Sequence, residues 1–535
     1  MTTYISGAPA IVVHEEDLAS FINPTSTTVG AIVGNFQWGP CLTPVLLSNE
    51  ENLVNIFGQP TDDNYKDWFC AKNFLSYSKA LYAIRAIGKN ALNASDVEAE
   101  ATLIKTEDDF TNLLGSLSVT EKTAKVFARY PGKLGNGIRV VIADKTTLES
   151  TDCILHNYVN QLLNDNSVGV GVFYNNSLVE MGIYSFEKTA KDANGLSNYV
   201  ISAVNNNSNY VYLIENKIIT YTDKVRNAVN IDVTLVGGKD DLAQDGDYIE
   251  CWNKFKDSDR YDISLGLQGG ASAVVGKHII DNLAAYRKDM IACVSPQQSD
   301  VLNIGDAYVG INRTELLSNA SNLLGYSSYR FMDGNYKYQY DMYNETYRWV
   351  PLNGDIAGIF ASIDEDKGPW FTPGGYTIKD CVKLAFYPSK SERDELFKYR
   401  VNTVTSFPDT GHVLWSDQTG ADNTTSFNFV NIRRMFIYIE KNIAQYARKV
   451  MWKQNDAVTR LQFYQTVEPF LRNIVGSRGI EDFKIVCDET VNTPDVVMRG
   501  QFVSKIFVKP VYSIRYVLLH FTSTRSDVSF EELTA

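Results

Sequence analysis

The stretch Thr28-Val29-Gly30-Ala31-Ile32-Val33-Gly34, followed by the turn residues Trp38-Gly39-Pro40 and a second apolar run, Pro44-Val45-Leu46-Leu47, reads as a strand, loop, strand unit. After it, Trp68, Phe69, Ala71, Phe74 and Leu75 fall at helical spacings in a segment that runs to the strand-like Leu81-Tyr82-Ala83-Ile84-Arg85-Ala86-Ile87. The order β, β, α, β opens an α/β domain, because alternating strands and helices build sheets covered by helices.

Working outward, residues 4–14 carry β-branched side chains broken by Gly7 and Pro9, which suits an extended arm with short strand pieces. From about Lys89 to Thr234 the chain changes to short β-type runs and Asn-rich loops such as Asn205-Asn206-Asn207-Ser208-Asn209, the pattern of a solvent-exposed β-rich insertion. Alternation of strand and helix resumes at Leu235-Val236-Gly237-Gly238. A helix over Ile279 to Tyr286 then precedes the strand Met290-Ile291-Ala292-Cys293-Val294. Beyond Ile378 come two long amphipathic helices, a closing pair of strands over Phe502 to Lys509 and Ile514 to Phe521, and a polar tail. The fold class is therefore mixed α/β and α+β, multidomain, with a discontinuous α/β domain, a β-rich insertion and an α+β C-terminal domain.

A chain of 535 residues exceeds what one core supports, so several domains are expected. Its net charge of -13 excludes wrapping of nucleic acid as the main task, since phosphate neutralisation needs a basic surface. No basic segment followed by an apolar core opens the chain, and no apolar run is long enough for a bilayer. Neither export nor membrane insertion is expected. Seven scattered cysteines without a C-x-x-C pair suit reduced thiols.

Several blocks resemble the contractile phage tail sheath proteins in the same order. They are Thr28 to Pro40, Phe57-Gly58, Trp68 to Leu75, Tyr130-Pro131-Gly132-Lys133-Leu134-Gly135-Asn136-Gly137-Ile138, Leu235 to Gly238, and Val350-Pro351-Leu352-Asn353-Gly354-Asp355 with the apolar residues after it. Glu392-Arg393-Asp394, Asn431 to Phe436, Thr459-Arg460 and Cys487 to Pro494 continue the series. The resemblance implies an N-terminal arm (1–20), the first part of an α/β sheath domain (21–90), a surface insertion (91–234), a subtilisin-like α/β sheath domain (235–377), a C-terminal assembly domain (378–523) and a C-terminal arm (524–535). It further implies a structural subunit, not an enzyme, that stacks with its own copies in six-fold rings around an inner tail tube protein and contracts to drive that tube through the host envelope. Baseplate and tail terminator proteins are the other implied partners, and the virion tail, assembled in the host cytoplasm, is the implied location. The arms would add strands to neighbouring subunits, with Tyr4, Ile5, Ile11, Val12 and Val13 at one end and Val528, Phe530 and Leu533 at the other. An adhesive virion surface module and a subtilisin-like hydrolase are the alternatives.

No recognisable catalytic or cofactor motif accompanies that topology. The histidines, His14, His156, His278, His412 and His520, lie in no protease context, and Gly270-Ala271-Ser272-Ala273-Val274 ends in Val where a nucleophile elbow ends in Gly. Gly269 to His278 fails the phosphate-loop pattern at Ala271 and His278 and reads as a Gly-rich loop entering a helix. Gly135-Asn136-Gly137 leads into a strand and reads as a turn. Asp364-Glu365-Asp366 lacks the later calcium ligands and reads as a solvated loop. No catalytic residue, cofactor or metal is expected. Among the tyrosines between Tyr326 and Tyr347, those alternating in Asn335-Tyr336-Lys337-Tyr338-Gln339-Tyr340 suit one face of a strand after an Asp333-Gly334 hairpin turn, a sugar- or base-stacking platform being the other possibility.

The helix over Phe429 to Lys453 carries Ile432, Phe436, Ile439, Ile443, Tyr446 and Val450 on one stripe. Arg434, Lys441 and Arg448 fall nearly opposite and form the proposed tube-facing ridge. A second helix follows, with Val458, Leu461, Tyr464, Val467, Leu471 and Ile474 in its core face, interrupted at Pro469 and ending near Gly476.

Overall fold

In the computed structural model, Gly30–Gly34 sits inside a six-stranded sheet ordered Arg330–Met332, Ile291–Val294, Leu265–Leu267, Gly30–Gly34, Leu81–Arg85, Val45–Leu47. All neighbours pair parallel except Val45–Leu47, an antiparallel edge strand. Three strands come from before residue 86 and three from after residue 264, so the sheet is interleaved from two distant stretches of chain. The structure describes residues 27–116, 124–159, 163–215, 231–302, 312–422 and 425–519. They fall into one unit within 25–369 and 373–441 and a second within 370–372 and 442–519.

Parallel strands must be covered on both faces, and they are. On one side Ala31, Val33 and Ile84 pack with Trp252, Phe255, Ile279 and Leu317. On the other lie the helices Tyr65–Leu75 and Asn353–Asp366. Side chains alternate along Gly30–Gly34, and its glycines face this second layer: a Cβ on Gly30 would come 2.7 Å from the Phe74 ring. Gly354 brings the two helices together, since a Cβ there would lie 2.8 Å from Cys70 Cα. The β, β, α, β order is incomplete by one helix, Glu50–Phe57, whose N-cap Asn49 accepts from the Asn52 amide at 2.8 Å.

The inserted stretch holds a four-stranded antiparallel sheet ordered Ser177–Ser185, Ser167–Tyr174, Ile138–Asp144, Ile231–Thr234, and a pair Val126–Ala128 with Val211–Leu213. Its core includes Val140, Ile142, Val170, Val204 and Leu213. Asn205, Asn206 and Asn207, expected in a loop, instead close the helix Val200–Asn207, because buried Val200, Ala203 and Val204 hold that helix down.

Asp333-Gly334 is not a hairpin turn. The hairpin joins Tyr336–Asp341 to Thr346–Pro351 through residues 342–345, with Lys383–Leu384 as a third strand. Asp333 is buried, and Gly334 donates its amide to the Asn402 carbonyl at 3.0 Å. Asp364-Glu365-Asp366 is likewise no loop but the end of Asn353–Asp366.

In the second unit, Ala457–Gly476 forms one helix with Pro469 inside it. Buried Val467, Phe470, Leu471 and Ile474 flank the proline, so packing overrides its breaking tendency. The closing strands differ from the expected pair: Lys505–Pro510 pairs antiparallel with Ile480–Val486. Residues 514–519 form no strand.

Candidate functional site

The residues that follow four of the parallel strands, Asn35, Gln268, Ser295 and Asp333, stand where α/β folds bind ligands, at the carboxyl ends of strands. Here that place is filled by side chains that satisfy one another. Ser295 donates to Asp333 Oδ2 at 2.6 Å and accepts from the Asn353 amide and Nδ2, both at 3.0 Å. Gln268 Oε1 accepts from the Ser295 amide at 3.1 Å. Asp67 accepts from the amides of Asn35 (3.0 Å) and Gly270 (2.7 Å) and from the Tyr248 hydroxyl (2.6 Å). Gln268, Ser295, Asp333, Asn353 and Asp67 are all buried. Burial raises the Asp333 carboxyl to about 7 and pushes Asp67 upward. A substrate has no way to meet these groups, so the cluster ties strand ends together.

None of the described histidines enters it. His156 Nδ1 is 2.9 Å from the Leu148 carbonyl, His278 lies between Asn253 and Asn282 at the end of Ala273–His278, and His412 lies on Gly411–Leu414. His14 and His520 are outside the described residues. Ser272 caps its helix and donates to Asp245 at 2.8 Å. Among the described residues no three His, Cys, Asp or Glu side chains are grouped to hold a metal ion. No described helix is long and apolar enough to cross a membrane.

The tyrosine strand packs as a sheet, though inside out. Lys337, Gln339 and Asp341 are the buried face: Lys337 Nζ meets Asp355 at 2.9 Å, Gln339 exchanges hydrogen bonds with Asn73, and Asp341 accepts from Arg348 at 2.7 Å. Tyr338 and Tyr340 turn outward onto Tyr347 and Trp349, with ring centroids 4.8–5.2 Å apart. Lys383 caps Tyr338 at 4.7 Å.

The proposed basic ridge changes character along the helix Val430–Val450. Arg434 is not exposed: its side chain is 4% accessible, pairs with Asp364, donates to the Phe360 carbonyl at 2.9 Å and lies over the Phe360 ring. Lys441 is also engaged, with Ser264 Oγ at 2.7 Å and Asp262 at 2.5 Å. Only Arg448 of the three is exposed. An amphipathic surface helix covers one face only, whereas residues 430–435 are buried all round. Exposed cations instead gather at the helix end, where Arg448 is joined by Lys449 and Lys453 around a fully exposed Trp452.

Assembly features lie in the second unit. Ile480–Val486 and Lys505–Pro510 form a sheet of only two strands, and among the described residues no further strand lies beside either. Lys484 and Phe507 face outward as a cross-strand pair, and Lys509 meets Glu481 at 2.9 Å. The proposed arm residues Tyr4, Ile5, Ile11, Val12, Val13, Val528, Phe530 and Leu533 lie outside the described residues.

Comparison with known proteins places three family models along the chain. The tail sheath protein Gp18 domain III N-terminal region matches residues 27–86, the phage tail sheath protein central domain 243–419, and the phage tail sheath C-terminal domain 422–524. The tail sheath protein of Enterobacteria phage T4 is 26% identical, with 98% of this chain and 99% of the relative covered. That of Vibrio phage KVP40 is 28% identical with the same coverage. Among solved structures, the sheath tail protein from Listeria innocua superposes with a TM-score of 0.56 at 12% identity over 91% of this chain and 96% of that one. The sheath complex of an extracellular contractile injection system in its contracted state gives 0.53 at 12% identity over 98% and 99%.

Proposed function

The chain belongs to the contractile phage tail sheath family, and from that premise we propose how its parts divide the work of a sheath. It is a structural subunit, not an enzyme, of a sheath that polymerises helically as part of the virion tail and contracts. The observation in the fold that carries this role is the two-stranded hairpin Ile480–Val486 with Lys505–Pro510. Two strands alone are marginal, and their outer backbone groups are ready to pair with an added strand.

We assign strand donation to the arms around Tyr4 to Val13 and Val528 to Leu533, accepted by the hairpins of neighbouring copies. The interleaved sheet supports reading residues 21–90 and 235–377 as one discontinuous domain that carries 91–234 on its surface, with 378–523 as the assembly domain. Stacked six-fold rings, an inner tube protein, a baseplate, a terminator and assembly in the host cytoplasm complete the proposal. Tube contact is assigned to the exposed helix end at Arg448, in place of a ridge that includes Arg434.

Electron microscopy of the purified chain tests the role. Long tubes or stacked rings are expected; a monodisperse small oligomer with catalytic turnover would overturn it. For the tube contact, Arg448→Glu with Lys449→Glu is expected to leave sheath-only polymers intact and to lower tube-templated assembly at least several-fold. Equal templating by the variant removes the assignment.

A further inference from the structure

The hairpin of Tyr336–Asp341 with Thr346–Pro351 carries more aromatic surface than its packing uses. Tyr338 pairs across the strands with Trp349, and Tyr340 with Tyr347. The four rings form one outward row in the order Tyr340, Tyr347, Tyr338, Trp349, each centroid 4.8–5.2 Å from the next. Lys337, Gln339 and Asp341 already hold the other face of the sheet, so the row is free for another task. Lys383 lies over Tyr338 and Trp349 at 4.7 and 5.6 Å and covers that end. Tyr340 and Tyr347, each 48% exposed, remain as an open platform.

Tyr340 also belongs to the wall of a groove of about 540 Å³, a size within the range of small-molecule sites, about 300–1,000 Å³. Buried Phe69 and exposed Met342 and Val382 give the groove an apolar lining, and Glu50, Lys72 and Asp380 give it polar groups. Lys72 pairs with Asp380 at 3.5 Å, and Glu50 accepts from the Tyr343 hydroxyl at 3.1 Å. A carboxylate accepts several hydrogen bonds and an ammonium donates three, so these groups keep capacity for a ligand. Platform and groove are continuous through Tyr340.

The polar groups choose the occupant. Two carboxylates against one ammonium repel phosphates and other anionic polymers. A dry apolar surface would strip water from all three ions and leave them unsatisfied. A neutral sugar does neither: the C–H face of a pyranose stacks on aromatic rings, while the hydroxyls at its edge donate and accept. We propose that the platform of Tyr340 and Tyr347, with the groove at Glu50, Lys72 and Asp380, binds a short neutral oligosaccharide. One sugar enters the groove and is held through its hydroxyls; the next lies on the two rings. The site goes beyond the mechanical role and does not depend on contraction. Repeated along a polymer of copies, weak sites of this kind add up to avid binding.

Maltotriose, cellotriose and triacetylchitotriose, titrated into the purified full chain, test it by calorimetry and saturation-transfer NMR, with a short oligothymidylate as the anionic comparison. At least one sugar is expected to bind with a millimolar or tighter dissociation constant, with transfer strongest to its ring C–H protons, and the oligonucleotide to stay free. Tyr340→Ala with Tyr347→Ala is expected to weaken sugar binding about tenfold or more, with polymerisation and the unfolding curve as in wild type. Lys72→Ala, which leaves the rings in place, is expected to weaken it several-fold. Failure of all three sugars to bind wild type overturns the proposal, as does binding that survives both variants or a preference for the oligonucleotide. If the ring variant loses polymerisation and not sugar binding, the face joins copies of the subunit and the glycan site falls. None of these results bears on the mechanical role, which electron microscopy tests separately.

Discussion

Arg434 and Asp364 are held by more than each other. Asp364 also accepts from Thr27 Oγ1 at 2.5 Å, and Arg434 stacks on Phe360 while donating to its carbonyl. Taking two charges out of water is costly, and removal of one partner leaves the other buried and uncompensated. Arg434→Met or Asp364→Leu alone is therefore expected to destabilise the subunit by about 3–5 kcal/mol, and the double variant by less than the sum, as read from urea unfolding. Asp333 makes a second prediction. Its folded carboxyl is raised to about 7 against an unfolded value near 3.8, so the folded state holds its proton while the unfolded state loses it. Its contribution is fully present below the unfolded value and is lost as pH rises to about 7. Relative to Asp333→Asn, wild type should lose stability over that window, by at most about 4 kcal/mol, and run parallel above it. Unfolding midpoints at a series of pH values check this; a wild type that gains on the variant as pH rises contradicts it.

At the scale of elements, close approach of the helices Tyr65–Leu75 and Asn353–Asp366 depends on Gly354, where added atoms meet the Cys70 main chain and not a movable side chain. Gly354→Val is expected to cost about 1–3 kcal/mol through displacement of one helix, measurable by thermal unfolding. What was legible in the chain follows from how local the cause of each element is. Gly30–Gly34 and Leu81–Arg85 were readable because unbroken small and β-branched runs have few other uses. Lys337, Gln339 and Asp341 were not, since their buried partners Asp355, Asn73 and Arg348 come from other elements and reverse the face that alternation favours. Arg434 misled for the same reason: Asp364 is 70 residues away, and helical spacing says nothing about it. Ile480–Val486 was missed because Glu481, Asp482 and Lys484 dilute its apolar signal on a strand with one solvent face. The stripe of the second long helix was half legible as a core face: Val467, Leu471 and Ile474 are buried, but Val458, Leu461 and Tyr464 are exposed, since helical spacing marks an apolar face without saying how much of it the same chain covers.

For the whole molecule, a sheath that contracts without nucleotide needs an extended lattice trapped above a contracted one with more interface per subunit. Its strand ends are sealed by Ser295, Asp333 and Asn353, so this chain has no chemistry there to power the change. Contraction is accordingly expected to proceed unchanged in EDTA and without nucleotide, and a requirement for ATP hydrolysis would contradict it. Charge gives an independent check on how the copies meet their partners. Each subunit carries a net -13, so bringing copies together works against repulsion that salt screens within about 10 Å at 0.1 M. Sheath-only polymerisation should therefore strengthen with added salt. Templating on a tube through the cationic end at Arg448, Lys449 and Lys453 should do the opposite, because salt screens an attraction there. Light scattering across a sodium chloride series, with and without tube, reads both slopes. Two slopes of the same sign would show that the tube contact is not electrostatic and would move it away from this helix end.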